Sequence, residues 1–388
     1  DVDKLTVAEG NTLHTGNVKM DETDVTIKGA VEVGVKDEDP EKAIAANWDT
    51  EGSHLISGEG ASLKANGNIR IAAVQDGDTI VVNDGARVAA TGDVTIEGLA
   101  DALAQVDNAH VVAKGDVTFS NAVLSNNAKP QIRSTEGDIV LKDRVEISDT
   151  QLNIQAPEGT QPGSIVVEKG ADVQLYQGTV DVFNGALAGT GTVTANDENL
   201  VISYDSPDFN GTINMVRDNE QTLYIASKGV GDKAILSMQK GSSLGTIVGG
   251  QDANLGNVVT TDGSHIQMNA VDKGNRTTAT SLNLTAGTTY ELFASTDDTT
   301  GALLADTITV SDGINANGAR VRAHSDAQLE TLADGSRFTI AGGTVVSGFN
   351  EDVLYDMVKP DPTAKRTARA LQTRNMHLEH NANGVDLV

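Results

Sequence analysis

The chain has 388 residues with 28 Lys and Arg, 55 Asp and Glu and no Cys, which gives a formal net charge of −27 at pH 7. This charge opposes nucleic-acid binding, which needs a basic surface, and the absence of cysteine excludes a disulfide framework. No apolar run approaches the length of about 18 residues that marks a membrane-spanning helix, so we expect no transmembrane helix.

A six-residue phrase recurs along the first half of the chain. After one variable residue it has Gly, then Asn, Asp or Ser, and then two apolar residues that are separated by one other residue. An example is Lys114-Gly115-Asp116-Val117-Thr118-Phe119. Its glycines are Gly16, Gly67, Gly92, Gly115, Gly137 and Gly163. From Gly67 onward they are 25, 23, 22 and 26 residues apart. A repeat of this length indicates a solenoid.

Each repeat ends in a period-two apolar pattern, which is typical of a short strand with one buried face. Gly, Asn and Asp between the strands tolerate positive φ, so they are predicted corner residues. The Leu and Asn pattern of leucine-rich repeats is absent, and no long stretch has helical periodicity. We therefore predict an all-β, single-stranded parallel β-helix with about 22–26 residues per rung. Its inward ladder would contain Val94, Ile96, Val117, Phe119, Ile139 and Leu141.

The clearest interruption of the repeat runs from residue 35 to residue 53 and contains the only tryptophan, Trp48. The predicted organisation is a β-helix over residues 1–348, with a loop insertion near 35–53, and a C-terminal linker with terminal strands over 349–388. Trp48 on a loop could stack against a sugar or anchor a partner, which makes it a candidate binding residue. The alternative is a hydrophobic plug over the first open rungs.

Residues 173–346 carry motifs in a characteristic order. Gly189-Thr190-Gly191-Thr192-Val193-Thr194 is followed by Leu200-Val201-Ile202-Ser203 and then by Ser206-Pro207-Asp208-Phe209-Asn210-Gly211-Thr212-Ile213. Ser281-Leu282-Asn283-Leu284-Thr285-Ala286-Gly287, Asp306-Thr307-Ile308-Thr309-Val310 and Phe338-Thr339-Ile340-Ala341-Gly342-Gly343 come later. This order resembles the C-terminal region of bacterial autotransporter passenger domains. The resemblance implies a right-handed β-helix displayed at, or released from, the outer-membrane surface of a Gram-negative bacterium.

The only abundant reactive groups are carboxylates. The chain contains no His-Glu-x-x-His motif, and we expect neither a metal site nor a cofactor. Asp93, Asp116 and Asp138 occupy one position in successive repeats, where stacked carboxylates could act as an acid pair. They could equally be corner residues that are chosen for turn geometry. Two further candidates, Asp49 and Asp298, lie in near misses to the Asp-Thr-Gly turn of aspartic peptidases.

Three hypotheses about function follow from these patterns. The first is an adhesin or structural binding protein whose partner is a host or bacterial surface glycan or glycoprotein. The second is a secreted, carboxylate-dependent hydrolase that acts on a glycoprotein such as mucin. The third is self-association through a flat face or a sheet edge.

Overall fold

The computed structural model describes residues 3–34, 42–129, 131–217, 221–246, 252–268, 276–296, 303–325, 336–357 and 376–388. Within these ranges every regular element is a β-strand, and no helix there is long and apolar enough to cross a membrane. The chain divides into two compact units, Asp1–Thr194 and Ala195–Val388. The predicted boundary between residues 348 and 349 stays a prediction.

Unit 1 contains the strands β1 to β23, most of them three or four residues long. They are β1 (Lys4–Val7), β2 (Thr12–Thr15), β3 (Val18–Met20), β4 (Asp24–Ile27), β5 (Ala30–Val33), β6 (Trp48–Glu51), β7 (His54–Ser57), β8 (Ser62–Ala65), β9 (Ile69–Ala72), β10 (Ile80–Asn83), β11 (Arg87–Ala90), β12 (Val94–Glu97), β13 (Ala104–Asp107), β14 (His110–Ala113), β15 (Val117–Ser125), β16 (Ile132–Ser134), β17 (Ile139–Ser148), β18 (Leu152–Ile154), β19 (Ser164–Val167), β20 (Asp172–Leu175), β21 (Phe183–Asn184), β22 (Ala186–Gly189) and β23 (Thr192–Ala195).

These strands form three parallel faces, and each rung contributes one segment to each face. The first face runs β3-β6-β9-β12-β15-β17-β19-β22, and the second runs β1-β4-β7-β10-β13-β15-β17-β20-β23. The third face runs β2-β5-β8-β11-β14-β16-β18-β21. The long strands β15 and β17 bend from the first face into the second, with a register shift between Ser120 and Ala122. The predicted parallel β-solenoid is confirmed.

The predicted inward ladder is also confirmed. Val94 pairs with Val117, and Val117 with Ile139; two residues further on, Ile96, Phe119 and Leu141 pair in the same order. All six side chains are fully buried. Their registers advance by 23 and 22 residues, as the glycine spacing predicted. Apolar stacking between neighbouring rungs therefore supplies the core that one rung alone cannot form.

The predicted loop insertion contains a rung of the solenoid. Residues 35–41 lie outside the described residues, but β6 pairs with β3 on one side and with β9 on the other. Trp48 stands between Val18 and Ile69 in the inward ladder. The sequence phrase is hard to see here because Ala46 stands where the other rungs have glycine.

Unit 2 contains the strands β24 to β41. They are β24 (Leu200–Ile202), β25 (Thr212–Met215), β26 (Thr222–Ile225), β27 (Ile235–Met238), β28 (Ser243–Thr246), β29 (Ala253–Asn254), β30 (Asn257–Thr260), β31 (His265–Met268), β32 (Arg276–Asn283), β33 (Thr289–Thr296), β34 (Leu303–Ala305), β35 (Thr307–Asn315), β36 (Arg320–Ser325), β37 (Phe338–Gly342), β38 (Val345–Ser347), β39 (Val353–Met357), β40 (Leu378–Asn381) and β41 (Gly384–Leu387).

Unit 2 repeats the parallel stacking of unit 1. One sheet runs β24-β26-β28-β31-β33-β36-β39, and its inward ladder includes Leu223, Leu244, Ile266 and Tyr290. The last strands depart from this pattern, because β40 and β41 form an antiparallel hairpin and β41 pairs antiparallel with β37. The hairpin thus adds to strand β37 by antiparallel pairing, whereas the rungs pair in parallel.

Candidate functional site

The predicted catalytic aspartates of unit 1 form a hydrogen-bonded ladder along one corner. The amide N–H of Asp116 donates to Oδ1 of Asp93 at 2.9 Å, and the N–H of Asp138 donates to Oδ1 of Asp116 at 2.8 Å. Asn68 accepts from Asp93 at one end, and Ser164 donates to Asp138 at the other. Each side chain therefore satisfies a backbone donor of the next rung. The structure places these carboxylates in series along the corner and shows a turn role for each.

The glycine before each ladder residue is explained by close approach. A methyl group on Gly137 would meet Oδ1 of Asp116 and lie 2.5 Å from the carbonyl carbon of Gly115. A methyl group on Gly92 would likewise meet Oδ1 of Asn68. The glycines before the three aspartates, Gly92, Gly115 and Gly137, do not have positive φ. Close approach, and not positive φ, therefore accounts for these glycines. Positive φ occurs at other corners, for example at Asp84 and Asn108, where Asp and Asn tolerate it as expected.

Asp49 lies on the outer side of the first face, beside a single arginine. Nη1 of Arg70 is 3.1 Å from Oδ1 of Asp49 and 3.0 Å from Oε1 of Glu51, and Nη2 is 3.1 Å from Oε2 of Glu97. Three carboxylates thus share one guanidinium group. Asp298 lies outside the described residues.

Trp48 is a core residue with only 1% of its surface exposed. Its Nε1–H donates to Oγ1 of Thr50 at 2.9 Å, and Thr50 is hydrogen-bonded to Nε2 of His54 at 2.7 Å. Nδ1 of His54 lies 2.9 Å from the carbonyl oxygen of Gly52, which can only accept, so this nitrogen carries the proton. Burial lowers the pKa of His54 to about 4. Although an alcohol beside an imidazole can form a nucleophile–base pair, both side chains are buried at 0% and 2% exposure.

Unit 2 contains a second polar cluster, centred on Glu291 of β33. Its carboxylate lies 3.1 Å from Nδ1 of His265, 3.3 Å from Nε2 of His324 and 3.6 Å from Nη1 of Arg322. Burial raises the pKa of Glu291, but the hydrogen bonds from the two histidines lower it, and the net pKa is well below the usual range. Among the described residues, no group of three His, Asp or Glu side chains could hold a metal ion. The cluster is therefore an ion-pair network on an outer face.

An open depression that could admit a ligand lies on the third face of unit 1. This third-face groove has a volume of about 930 Å³ and crosses the strands from β2 to β16. Its lining includes His14, Glu32, Lys64, Asn66, Arg87, Ala89, Ala90, Thr91, Val112, Lys114, Arg133, Thr135 and Glu136. Parallel stacking aligns Lys64, Ala89, Val112 and Arg133 at one register position of four successive rungs.

The charges of the groove are unevenly paired. His14 lies 3.1 Å from Glu32, which is the register neighbour of Lys64, and Lys114 lies 3.2 Å from Glu136. Lys64, Arg87 and Arg133 form no ion pair with any described residue. Nη1 of Arg133 donates to Oε1 of Gln155 at 3.2 Å, whereas its buried Nε makes no hydrogen bond within the described structure.

The pKa of His110 is affected by the nearby cations of the groove. His110 pairs with Arg87 in the neighbouring strand, and its pKa is lowered by burial and by the charges of Arg87 and Arg133.

Sequence reasoning missed the groove because its residues lie 21 to 25 positions apart and share no motif. The repeat phrases do give an approximate alignment of rungs. Reading the outward positions of that alignment as columns would have placed Lys64 and Arg133 in one line.

No protein-family model matches the chain, and no characterised protein is significantly similar to it.

Proposed function

We propose that this protein is a passenger-type β-solenoid that acts as an adhesin or structural binding protein at the surface of a Gram-negative bacterium, or after release from it. Its partner would be a glycan or glycoprotein of a host or bacterial surface. The observation that carries the proposal is the third-face groove, an open depression on a regular solenoid where Lys64, Arg87 and Arg133 contact no carboxylate of the described residues.

The architecture supports a binding role physically. Stacked rungs present outward side chains in straight columns, and a column can contact a long partner at many points without any moving part. The passenger-like motifs also have structural counterparts, since Phe209 is fully buried and Ile213 and Val310 belong to inward positions of β25 and β35. They therefore support membership of a passenger-like family as part of the proposal.

The hydrolase stays an untested alternative. Its candidates Asp93, Asp116 and Asp138 each accept an N–H from the next rung, and Asp49 faces Arg70. These contacts give every described candidate a structural role, so we prefer the binding hypothesis.

The test is binding of the whole chain to a glycan array, to immobilised mucin and to intact Gram-negative cells. We expect saturable binding to at least one surface, with no release of reducing ends or peptides between pH 3 and pH 8. Fractionation of the source bacterium should find the protein at the cell surface or in the medium. Saturation of none of these surfaces would contradict the binding role, and turnover of mucin would favour the hydrolase.

A further inference from the structure

We infer that the third-face groove binds a linear acidic polysaccharide, whose carboxylate or sulfate groups contact Lys64, Arg87 and Arg133. This inference rests on the proposed binding function and names the chemical class of its ligand. The first observation is which cations of this strongly acidic protein contact carboxylates.

Several cations on other faces of this chain contact acids. Arg70 contacts three carboxylates, Lys142 lies 3.1 Å from Glu168, and Arg144 pairs with Glu146. With 55 acidic residues against 28 basic ones, partners are abundant. Lys64, Arg87 and Arg133 lie together on one groove without a carboxylate partner among the described residues. They leave charge-assisted hydrogen bonds available to an anionic ligand.

The spacing of the cations suits an extended ligand. Lys64 and Arg133 occupy the same register position three rungs apart, which corresponds to about 14 Å along the stack of strands. Arg87 lies on the rung after Lys64, and the uncharged residues Ala89 and Val112 stand between Lys64 and Arg133 in the register. An extended chain with well-separated charges could contact all three cations at once.

The polar residues along one side of the groove suit sugar hydroxyl groups. Asn66, Thr91 and Thr135 follow the ends of β8, β11 and β16, and Oγ1 of Thr91 donates to Oδ1 of Asn66 at 3.1 Å. Hydroxyl and amide groups can both donate and accept, as sugar hydroxyl groups do. This row therefore adds neutral contacts beside the charged ones.

The same observations disfavour other polyanions. The net charge of −27 repels every polyanion, so it favours a ligand with widely spaced charges over a nucleic acid, which carries a phosphate on every nucleotide. The groove lining includes no Phe, Tyr or Trp on which bases could stack. An acidic peptide would find neither a deep side-chain pocket nor a free strand edge, because β8, β11 and β14 each pair on both sides.

The experiment is calorimetric titration of the whole chain with hyaluronan, dextran sulfate and neutral dextran, which separate carboxylate, sulfate and uncharged ligands. Single-stranded DNA and poly-glutamate serve as competing polyanions. We compare Lys64→Gln and Arg87→Gln, both at exposed positions, with the control Arg144→Gln on another face. The control changes the net charge equally and leaves the groove intact.

We expect binding to hyaluronan or dextran sulfate but not to dextran, and weaker binding at high salt. Each groove variant should weaken it roughly fivefold to tenfold, while the control changes it less than twofold. Equal weakening by the control, or tighter binding of DNA or poly-glutamate, would overturn the inference. Binding of neutral glycans alone would overturn it and leave the proposed function standing, whereas failure on the glycan array, mucin and cells would remove both.

Discussion

His54 shows how one buried side chain makes the stability of unit 1 depend on pH. It is uncharged in the interior, where Thr50 and the Gly52 carbonyl satisfy both ring nitrogens. Protonation would place a charge in the core and take away the acceptor that Thr50 uses. His54 therefore has a structural role, and its protonation changes the stability of the fold.

We predict that His54 makes unit 1 less stable as pH falls. Its pKa is about 4 in the folded chain and about 6.5 in the unfolded chain, so the unfolded chain binds more protons between these values. The stabilising contribution is complete above pH 6.5 and is lost as pH falls towards 4, by about 3 kcal/mol at most. Urea unfolding of the native protein and of His54→Gln at pH 7 and pH 4.5 measures the difference. The variant should be less stable than the native protein at pH 7 and should lose less stability on acidification; equal losses would refute the prediction.

The hydrogen-bonded ladder of Asn and Asp side chains along one corner stabilises the stacking of rungs, because each of its contacts joins one rung to the next. An Asn or Asp accepts the amide N–H of the equivalent residue, and glycine before that residue permits the approach. Glycine and the Asn or Asp that follows it therefore depend on each other, which explains why they recur together in the repeat phrase.

We predict that Gly137→Ala costs about 2 kcal/mol of unfolding free energy, because the methyl group would lie against backbone atoms of Gly115 and Asp116 that cannot move independently. Gly60→Ala is the matched control, since a methyl group there meets no atom within 4 Å and φ is not positive. The control should shift the unfolding free energy by less than about 0.5 kcal/mol. Similar urea midpoints for both variants would contradict the close-approach explanation.

We predict different effects for two substitutions of Asp116. Asp116→Ala removes the acceptor of the Asp138 amide and should cost about 1–2 kcal/mol, whereas Asp116→Asn keeps an acceptor oxygen and should cost less than about 0.5 kcal/mol. Urea unfolding measures both. Because Asn68 accepts at the equivalent position of an earlier rung, equal losses from the two substitutions would show that the charge is required.

At the scale of the whole molecule, the net charge governs how copies of the chain meet. The charge of −27 repels a second copy at neutral pH, and the sequence pI of about 4.4 sets where this repulsion vanishes. Self-association, the third hypothesis, should therefore depend on pH and salt.

We predict a monomer at pH 7 in low salt and growing association as the pH approaches 4.4. Sedimentation velocity over a tenfold concentration range measures the mass at each pH. The double substitution of Asp93 and Asp116 by Asn retains the ladder acceptors while lowering the negative charge, so it should move the onset of association to slightly higher pH. A stable dimer of the native protein at pH 7 would indicate a specific interface in place of charge control.

The amino-acid pattern was enough to predict the all-β solenoid, the inward ladder and the spacing of its rungs. Those features rest on local patterns, because apolar residues must recur at period two to face the core and corners must recur once per rung. The folded chain was needed to show that Trp48 belongs to a rung, that the corner glycines allow close approach and that Lys64, Arg87 and Arg133 share a groove. Outward positions have no apolar requirement, so stacking register alone determines which of their side chains meet.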